Sequence, residues 1–317
     1  MLMKKSILNE LARILTLSVC VFMFTACGGG DSDDSDGAPD NPDNPDNPSM
    51  TEEPYFWSKE TQKKIRFAPG NIQYNAALRT WRFAPNQWET VGADNINISP
   101  SYDGWIDLFG WATSGWSSGA VCYEPWSNSV DWTDYWRWGH DIYTPSVNYN
   151  LNDPEWSLCD WGVYNKFSND NSKSKKWRTM TRNEWIQLEC SRGLAVVGDV
   201  KGFVLLPTNW VQPNGVPELK SGAFALGFRT SYTLDQWKIA EKYGAVFLPV
   251  TGYRLKGQYV EEEVGRYWTA ERIDAYRVWC YTFGKWTGMS NTMGPNSEDW
   301  DKLDRGMAVR LVQDIEE

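Results

Sequence analysis

The chain has very little histidine: His140 is the only one among 317 residues. Zinc enzymes hold their metal with several histidine, cysteine or carboxylate ligands, so a histidine-rich metal site is excluded. His140 is also the only histidine available to activate a serine or cysteine nucleophile. It lies in a loop-like stretch, at positions 138–141, where we expect a surface or packing role.

The chain also lacks a hydrophobic run long enough to span a membrane. Lys4, Lys5 and Arg13 precede an apolar stretch from Ile14 to Ala26, which is shorter than the roughly 20 residues that a span requires. A basic start, a short apolar run and a small-residue end predict a secretory signal over residues 1–26. Because Cys27 follows the cleavage point, the segment resembles a bacterial lipoprotein signal. The resemblance implies lipidation of Cys27 and an outer-membrane location exposed at the cell surface.

An acidic tether follows, over residues 27–53. Gly28 to Asp36 resembles the short export tag of Bacteroidetes surface lipoproteins, and three Pro-Asp-Asn repeats run from Pro39 to Asn47. Proline at every third position favours polyproline II, which rises about 3.1 Å per residue and forms a semi-rigid spacer. We therefore expect residues 54–317 to form one domain held away from the membrane.

The charge of the chain excludes some partners. The formal net charge is −10 at pH 7, and much of it lies in the tether. The remaining domain has no basic excess of the kind that nucleic-acid binding requires. The sequence shows no basic amphipathic helix of the kind that binds a membrane surface directly. The expected membrane contact is therefore the N-terminal lipid.

Cysteines are few beyond the signal and the anchor: Cys122, Cys159, Cys190 and Cys280. An oxidising exterior permits disulfides, and four cysteines allow three connectivities. We expect a Cys122–Cys159 bridge, because both residues flank one long irregular insert. Cys190, placed at a predicted helix end, and Cys280, inside a predicted strand, are a second pair or two small buried thiols.

Local signals predict few helices and many short strands. Capping boxes at Thr181 to Glu184 and Thr233 to Gln236 predict two short helices, which Gly193 and Gly244 are expected to close. The repeated Arg-Phe-Ala-Pro at positions 66–69 and 82–85 predicts hairpins near the domain start. Four further strands are predicted at Gly202–Pro207, Ala245–Pro249, Tyr276–Phe283 and Met307–Val312. This pattern predicts an α+β fold with long loops.

Several motifs in one order resemble a known family. They are positions 177–185, Phe203–Pro207, Gly244–Pro249, Gly252–Arg254, Tyr267–Ala270 and Gly306–Val312. Together they resemble the Fibrobacter succinogenes major paralogous domain of Bacteroidetes and Fibrobacter surface proteins. The resemblance implies a C-type-lectin-like fold, similar also to formylglycine-generating enzyme. Fold alone does not give function.

The residues that two protein families of similar fold use for their activities are mostly missing from this chain. Formylglycine-generating enzymes need a pair of late cysteines, and here only Cys280 lies late in the chain. C-type lectins hold Ca²⁺ with a Glu-Pro-Asn or Gln-Pro-Asp loop followed by Trp-Asn-Asp. Gln212-Pro213-Asn214 resembles the first element, but the second is absent from the sequence, and Ca²⁺ takes six to eight oxygens. We therefore expect no cofactor and a proline turn at this tripeptide, with Ca²⁺ as the alternative.

Tryptophan is abundant, with 20 residues, and nine of them lie between Trp105 and Trp161. Flat aromatic faces stack on sugar rings and supply protein-binding hot spots. Alternatively, the aromatics fill the core of a loop-rich insert at about 105–165. The candidate ligand-binding residues are Trp116, Tyr123, Trp126, Trp132, Tyr135, Trp136, Trp138, Asp131 and Asp134.

The expected function is non-catalytic binding of a glycan or a surface protein through this insert. One alternative is a structural subunit of a surface assembly. Another is a glycosidase, for which two carboxylates among Asp131, Asp134, Glu155 and Asp160 would be required.

Overall fold

The computed structural model describes residues 48–135, 150–172, 176–220, 227–274, 277–284 and 300–316. The signal segment, Cys27, the three repeats, Trp136, Trp138 and His140 lie outside them. The described residues form a mixed α+β structure of small, mostly antiparallel sheets. Their strands and α-helices are β1 Phe56–Ser58, β2 Lys63–Phe67, β3 Ile72–Asn75, β4 Thr80–Phe83, α1 Trp161–Tyr164, β5 Arg178–Thr179, α2 Arg182–Gln187, β6 Leu188–Glu189, β7 Ser191–Val197, β8 Val200–Leu206, β9 Thr230–Tyr232, α3 Leu234–Lys242, β10 Val246–Pro249, β11 Tyr253–Leu255, β12 Gln258–Val260, β13 Val264–Arg272, β14 Arg277–Gly284, β15 Trp300–Lys302 and β16 Leu311–Asp314.

The sheets bring distant parts of the chain together. One five-stranded sheet has the order β5-β16-β2-β1-β6, so the first and last strands of the domain share it. A second sheet has the order β10-β8-β7-β9, and a third has β13-β14-β15. The pairs β3-β4 and β11-β12 are separate hairpins. Within the described ranges, no helix is long and apolar enough to cross a bilayer.

The predicted hairpins near the domain start are found. The first Arg-Phe-Ala-Pro lies at the end of β2 and the second at the end of β4, in two separate hairpins. Phe56 pairs with Ile65 in the first hairpin, and Tyr74 pairs with Trp81 in the second. Alternation along the strands buries Phe67 and Phe83 and leaves the preceding arginines half-buried.

Both capping boxes are confirmed. The Thr181 hydroxyl accepts from the Glu184 N–H at 2.9 Å, and Thr233 caps α3 in the same way. Gly244, with φ of +87°, ends α3 as expected. The predicted end of α2 was wrong: the helix stops at Gln187, and Gly193 lies inside β7. Extended backbone starts at Leu188 because β6 pairs with β1.

Three predicted strands are found, as β8, β10 and β14. The predicted closing strand is shorter, since β16 begins at Leu311. Met307 forms a single bridge with Phe109, and Ala308 forms one with Tyr267. These residues pair with two different segments, so they do not extend one ladder. A third helix, α1, was not predicted.

Much of the aromatic insert is core. Trp111, Trp156 and Trp161 are buried in one cluster with residues of β3, β4, β13 and β14. The Trp111 indole N–H donates to the Thr269 carbonyl at 2.9 Å, and that of Trp161 donates to the Thr113 carbonyl at 3.1 Å. The packing of these rings and the bond from Trp111 to β13 therefore fasten the insert to the sheets, and the bond from Trp161 to Thr113 holds the insert together.

The predicted Cys122–Cys159 disulfide is not formed, because both residues are thiols in the structure. The Cys122 thiol lies beside Ser127, Ser129 and Tyr135. Cys159 is buried in a 3₁₀ turn just before α1. Cys190 and Cys280 are also thiols, and Cys190 lies between two strands instead of at a helix end.

Candidate functional site

A cleft of about 420 Å³ opens where the insert meets the β3-β4 hairpin and α1. Its volume is within the range of small-ligand sites. Both aromatic and polar side chains line it. The aromatic residues are Tyr74, Trp81, Trp126 and Tyr164, and the polar ones are Arg79, Ser114, Glu124 and Asn165.

The aromatic wall is built on the hairpin. Tyr74 and Trp81 are cross-strand partners with ring centroids 4.6 Å apart. Trp126 stacks on Tyr74 at 6.0 Å and an interplanar angle of 26°. Trp126 is half-buried, and Tyr164 is 45% exposed. Aromatic surface is therefore accessible to a ligand at the edge of a rigid core.

A cation and a carboxylate stand beside these rings. Arg79 lies at the tip of the hairpin with φ of 49°, and the Asn75 side chain accepts from the Leu78 N–H at 2.9 Å. Burial raises the pKa of Glu124, while Arg79 and the Tyr123 hydroxyl lower it. Among the described residues, neither Arg79 nor Glu124 belongs to an ion pair. Their donors and acceptors can therefore serve a ligand.

The Tyr74 hydroxyl is neutral at physiological pH. Burial, reinforced by Glu124, raises the pKa of Tyr74 to about 12, although Arg79 opposes this rise. A neutral hydroxyl both donates and accepts hydrogen bonds. The cleft thus contains a hydroxyl, a carboxylate and a guanidinium within electrostatic reach of one another.

Gly115 is the point at which the insert lines the cleft. Its φ is +95°, and its N–H donates to the Tyr123 carbonyl at 2.9 Å. A Cβ at Gly115 would lie 3.9 Å from both Glu124 Oε2 and Tyr164 Cε1. The Asn165 side chain fixes the other wall by donating to the Ser114 carbonyl at 2.9 Å.

The candidate aromatics divide between the cleft and the core. Trp126 lines the cleft, and Tyr123 lies beside it. Trp116 is half-buried against the core cluster that contains Trp111 and Trp161. Trp132 is half-buried in a 3₁₀ turn. Tyr135 is buried, with its hydroxyl 3.4 Å from the Ser129 carbonyl, and therefore presents no surface to a ligand.

The candidate carboxylates of the insert accept hydrogen bonds from groups of the protein itself. Asp131 accepts from the Thr133 N–H at 2.9 Å, and these Thr133 hydrogen bonds lower its pKa. Asp134 accepts from the Ser129 hydroxyl. Asp160 is buried and accepts from the N–H groups of Gly162 and Thr179, each at 2.8 Å. Glu124 is the carboxylate among the described residues that line the cleft.

Sequence reasoning missed Tyr74, Arg79 and Asn165. Hairpins near the domain start were predicted, but no local pattern connects them with residues 114–126. Tyr164 lies in the aromatic insert but was not among the candidate residues.

The structure favours a turn at Gln212-Pro213-Asn214. Gln212 Oε1 accepts from the Trp210 indole N–H at 3.2 Å, and Gln212 Nε2 donates to the Val216 carbonyl at 2.7 Å. In the part of the chain that the structure describes, no group of three or more His, Cys, Asp or Glu residues is arranged to hold a metal.

Comparisons with protein-family models, with curated proteins and with solved structures find no match to this chain.

Proposed function

We propose that this protein is a surface-exposed lipoprotein, lipidated at Cys27, whose C-type-lectin-like domain binds a glycan in the aromatic cleft without chemical conversion. The observation that carries the proposal is that accessible rings stand beside charged groups that form no ion pair with another described residue. Trp126 and Tyr164 offer apolar faces, while Arg79 and Glu124 are in no ion pair with another described residue.

This combination matches the chemistry of a sugar. A pyranose presents C–H groups on its faces and hydroxyls around its edge. Aromatic faces cover the former, and charged or amide groups form hydrogen bonds with the latter, charge-assisted bonds being the stronger ones. Tyr and Trp lose little conformational entropy on binding, since each has two rotatable side-chain angles.

The carboxylate arrangement favours binding over hydrolysis. Glycosidases generally place two carboxyl groups about 5 to 9.5 Å apart across the bond they cleave. The described cleft residues supply Glu124, whereas Asp131, Asp134 and Asp160 serve the turns and helix described above.

The test is binding of the purified full-length protein to a panel of neutral and acidic oligosaccharides, with and without Ca²⁺. We expect at least one ligand, and we expect Trp126→Ala to weaken it about tenfold or more, because loss of a hot-spot residue costs above 1 kcal/mol. Trp210→Ala is the matched control, since Trp210 is also half-buried but packs against a different cluster. No ligand, or equal losses in both variants, would refute the proposal.

A further inference from the structure

A larger cavity of about 870 Å³ lies on the other side of α1. Four cations and two carboxylates, Asp314 and Glu316, line it, and an apolar part includes Trp57, Val163 and Ile315. Trp57 is half-buried and lies opposite Lys64 in the β1-β2 register. The cationic lining residues are Lys63, Lys64, Lys176 and Arg178. We call this cavity the lysine groove.

Helix α1 is the shared wall of the two cavities. Val163 lines the lysine groove, while the next two residues, Tyr164 and Asn165, line the aromatic cleft. Consecutive Cα atoms are about 3.8 Å apart, so the two sites are adjacent. Val163 is 46% exposed and Tyr164 is 45% exposed, so the ridge between the sites is itself accessible.

The ridge is firmly positioned. Asp160 caps the helix and also accepts from the Thr179 N–H of β5. Gly162 lies directly against the backbone before β5, because a Cβ there would be 2.6 Å from the Trp177 carbonyl carbon. The cleft, the ridge and the lysine groove can therefore act as one continuous surface.

Two lysines of the groove are easily released to a ligand. Lys63 pairs with Asp314 at 2.8 Å and is 57% exposed, and Lys176 pairs with Glu316 at 3.1 Å and is 81% exposed. Exposed ion pairs of this kind contribute about 0–1 kcal/mol, so ligand anions can replace these carboxylates at low cost. Lys166, two residues beyond Tyr164, is exposed and has no ion pair among the described residues.

Arg178 has a different role. Its guanidinium binds the buried Glu184 at 2.7 Å through both terminal nitrogens and Asp314 at 2.7 Å. These contacts fix the floor of the groove. The lysines at its rim remain the groups that recognise a charge.

From this arrangement we infer that the ligand is a linear anionic glycan. One ring occupies the aromatic cleft, the chain crosses α1 at Val163 and Tyr164, and the following residues place their carboxylates near Lys63 and Lys176. The inference rests on the proposed glycan-binding function and names its ligand class.

The test compares charged glycans with the same backbones made neutral. Hexagalacturonate, hexamannuronate and a hyaluronan hexasaccharide are titrated into the full-length protein, each beside its carboxyl-reduced form. We expect at least one acid to bind about tenfold more tightly than its reduced counterpart. We expect that difference to shrink as salt rises, because screening weakens exposed charge contacts.

Variants separate the two proposals. Lys63→Gln combined with Lys176→Gln should weaken binding of the acidic form much more than binding of the reduced form and so remove the preference between them. Lys238→Gln, an exposed lysine on α3, is the control. If acidic and reduced forms bind equally, or if only neutral glycans bind, the anionic inference fails. Loss of neutral binding in Trp126→Ala would then still support the aromatic cleft as the site. If no glycan binds, both proposals fail.

Discussion

Glu124 is the residue whose ionisation should control the cleft. Burial raises the pKa of its carboxyl above the ordinary value, and the ionised form is the one that accepts sugar hydroxyls at both oxygens. Affinity for a neutral glycan should therefore be full at high pH and fall as pH drops through the raised pKa. Titrations between about pH 4 and pH 8 check this. A Glu124→Gln variant should lack that step, and an identical pH profile in the variant would assign the dependence elsewhere.

At the same scale, sequence identified some site residues and not others. Trp126 was predicted because aromatic density in the insert is visible along the chain. That density could not separate Trp126 from Trp111, Trp156 and Trp161, since a core indole and a ligand-binding indole are the same residue type. Arg79 joins the site only because a hairpin 45 residues before Glu124 folds against the insert, and no local pattern records that contact.

At the scale of elements, the start of α2 contains a buried ion pair that should be costly to break. Glu184 is fully buried, completes the capping box and binds Arg178 at 2.7 Å. Glu184→Ala would leave Arg178 with one fewer carboxylate in a partly desolvated position. We expect a loss of about 3 kcal/mol in the free energy of unfolding, measured by urea denaturation.

The control for this change is an exposed pair in the other capped helix. Lys238 lies 3.4 Å from Asp235, and both side chains are mostly exposed. Lys238→Ala should change stability by about 0.5 kcal/mol or less. Equal effects of the two substitutions would show that the Arg178–Glu184 pair does not stabilise the domain as described.

The helices and strands that were predicted well from the sequence are those determined by neighbouring residues. The residues of a capping box all lie within four consecutive positions, and a buried strand such as β10 is a short apolar run ended by proline. Helix α1 was missed because its four residues are too few to form a helix alone. Its N-cap acceptor, Asp160, is held in turn by the Thr179 N–H, a tertiary contact 19 residues away. The end of α2 depends on β6 pairing with β1, which is also tertiary.

At the scale of the molecule, Arg310 joins its own segment to residues 68–71 and to β10. It donates to Asn71 Oδ1 at 2.9 Å, to the Ala68 carbonyl at 3.0 Å and to the Phe247 carbonyl at 2.8 Å. Burial lowers the pKa of Arg310 to about 10, so the guanidinium is still charged at neutral pH.

Replacing Arg310 should therefore affect the whole fold. Arg310→Met keeps apolar bulk but leaves three buried acceptors unsatisfied, and we expect a loss of about 3 kcal/mol or more in the free energy of unfolding. Arg310→Lys should recover part of this loss. A stability unchanged in Arg310→Met would contradict the role of this residue in joining the sheets.

The α+β class follows from the sequence, because few capped helices and many short strands are visible in it. The arrangement of small sheets around the insert does not, since isolated bridges such as Phe109 to Met307 join residues almost 200 positions apart. The Cys122–Cys159 bridge failed for the same reason: position along the insert did not show that Cys122 faces Tyr135.

The most direct test of the account uses the tryptophans as reporters. In a nuclear magnetic resonance titration, indole N–H signals of the ¹⁵N-labelled full-length protein are followed while the best-binding glycan is added, with assignment by single substitutions. We predict that the Trp126 signal shifts at saturation. Trp111 and Trp161, whose indoles donate to buried carbonyls, should stay unchanged. Shifts confined to tryptophans remote from the cleft, such as Trp210, with none at Trp126, would contradict the central claim that the aromatic cleft is the ligand site.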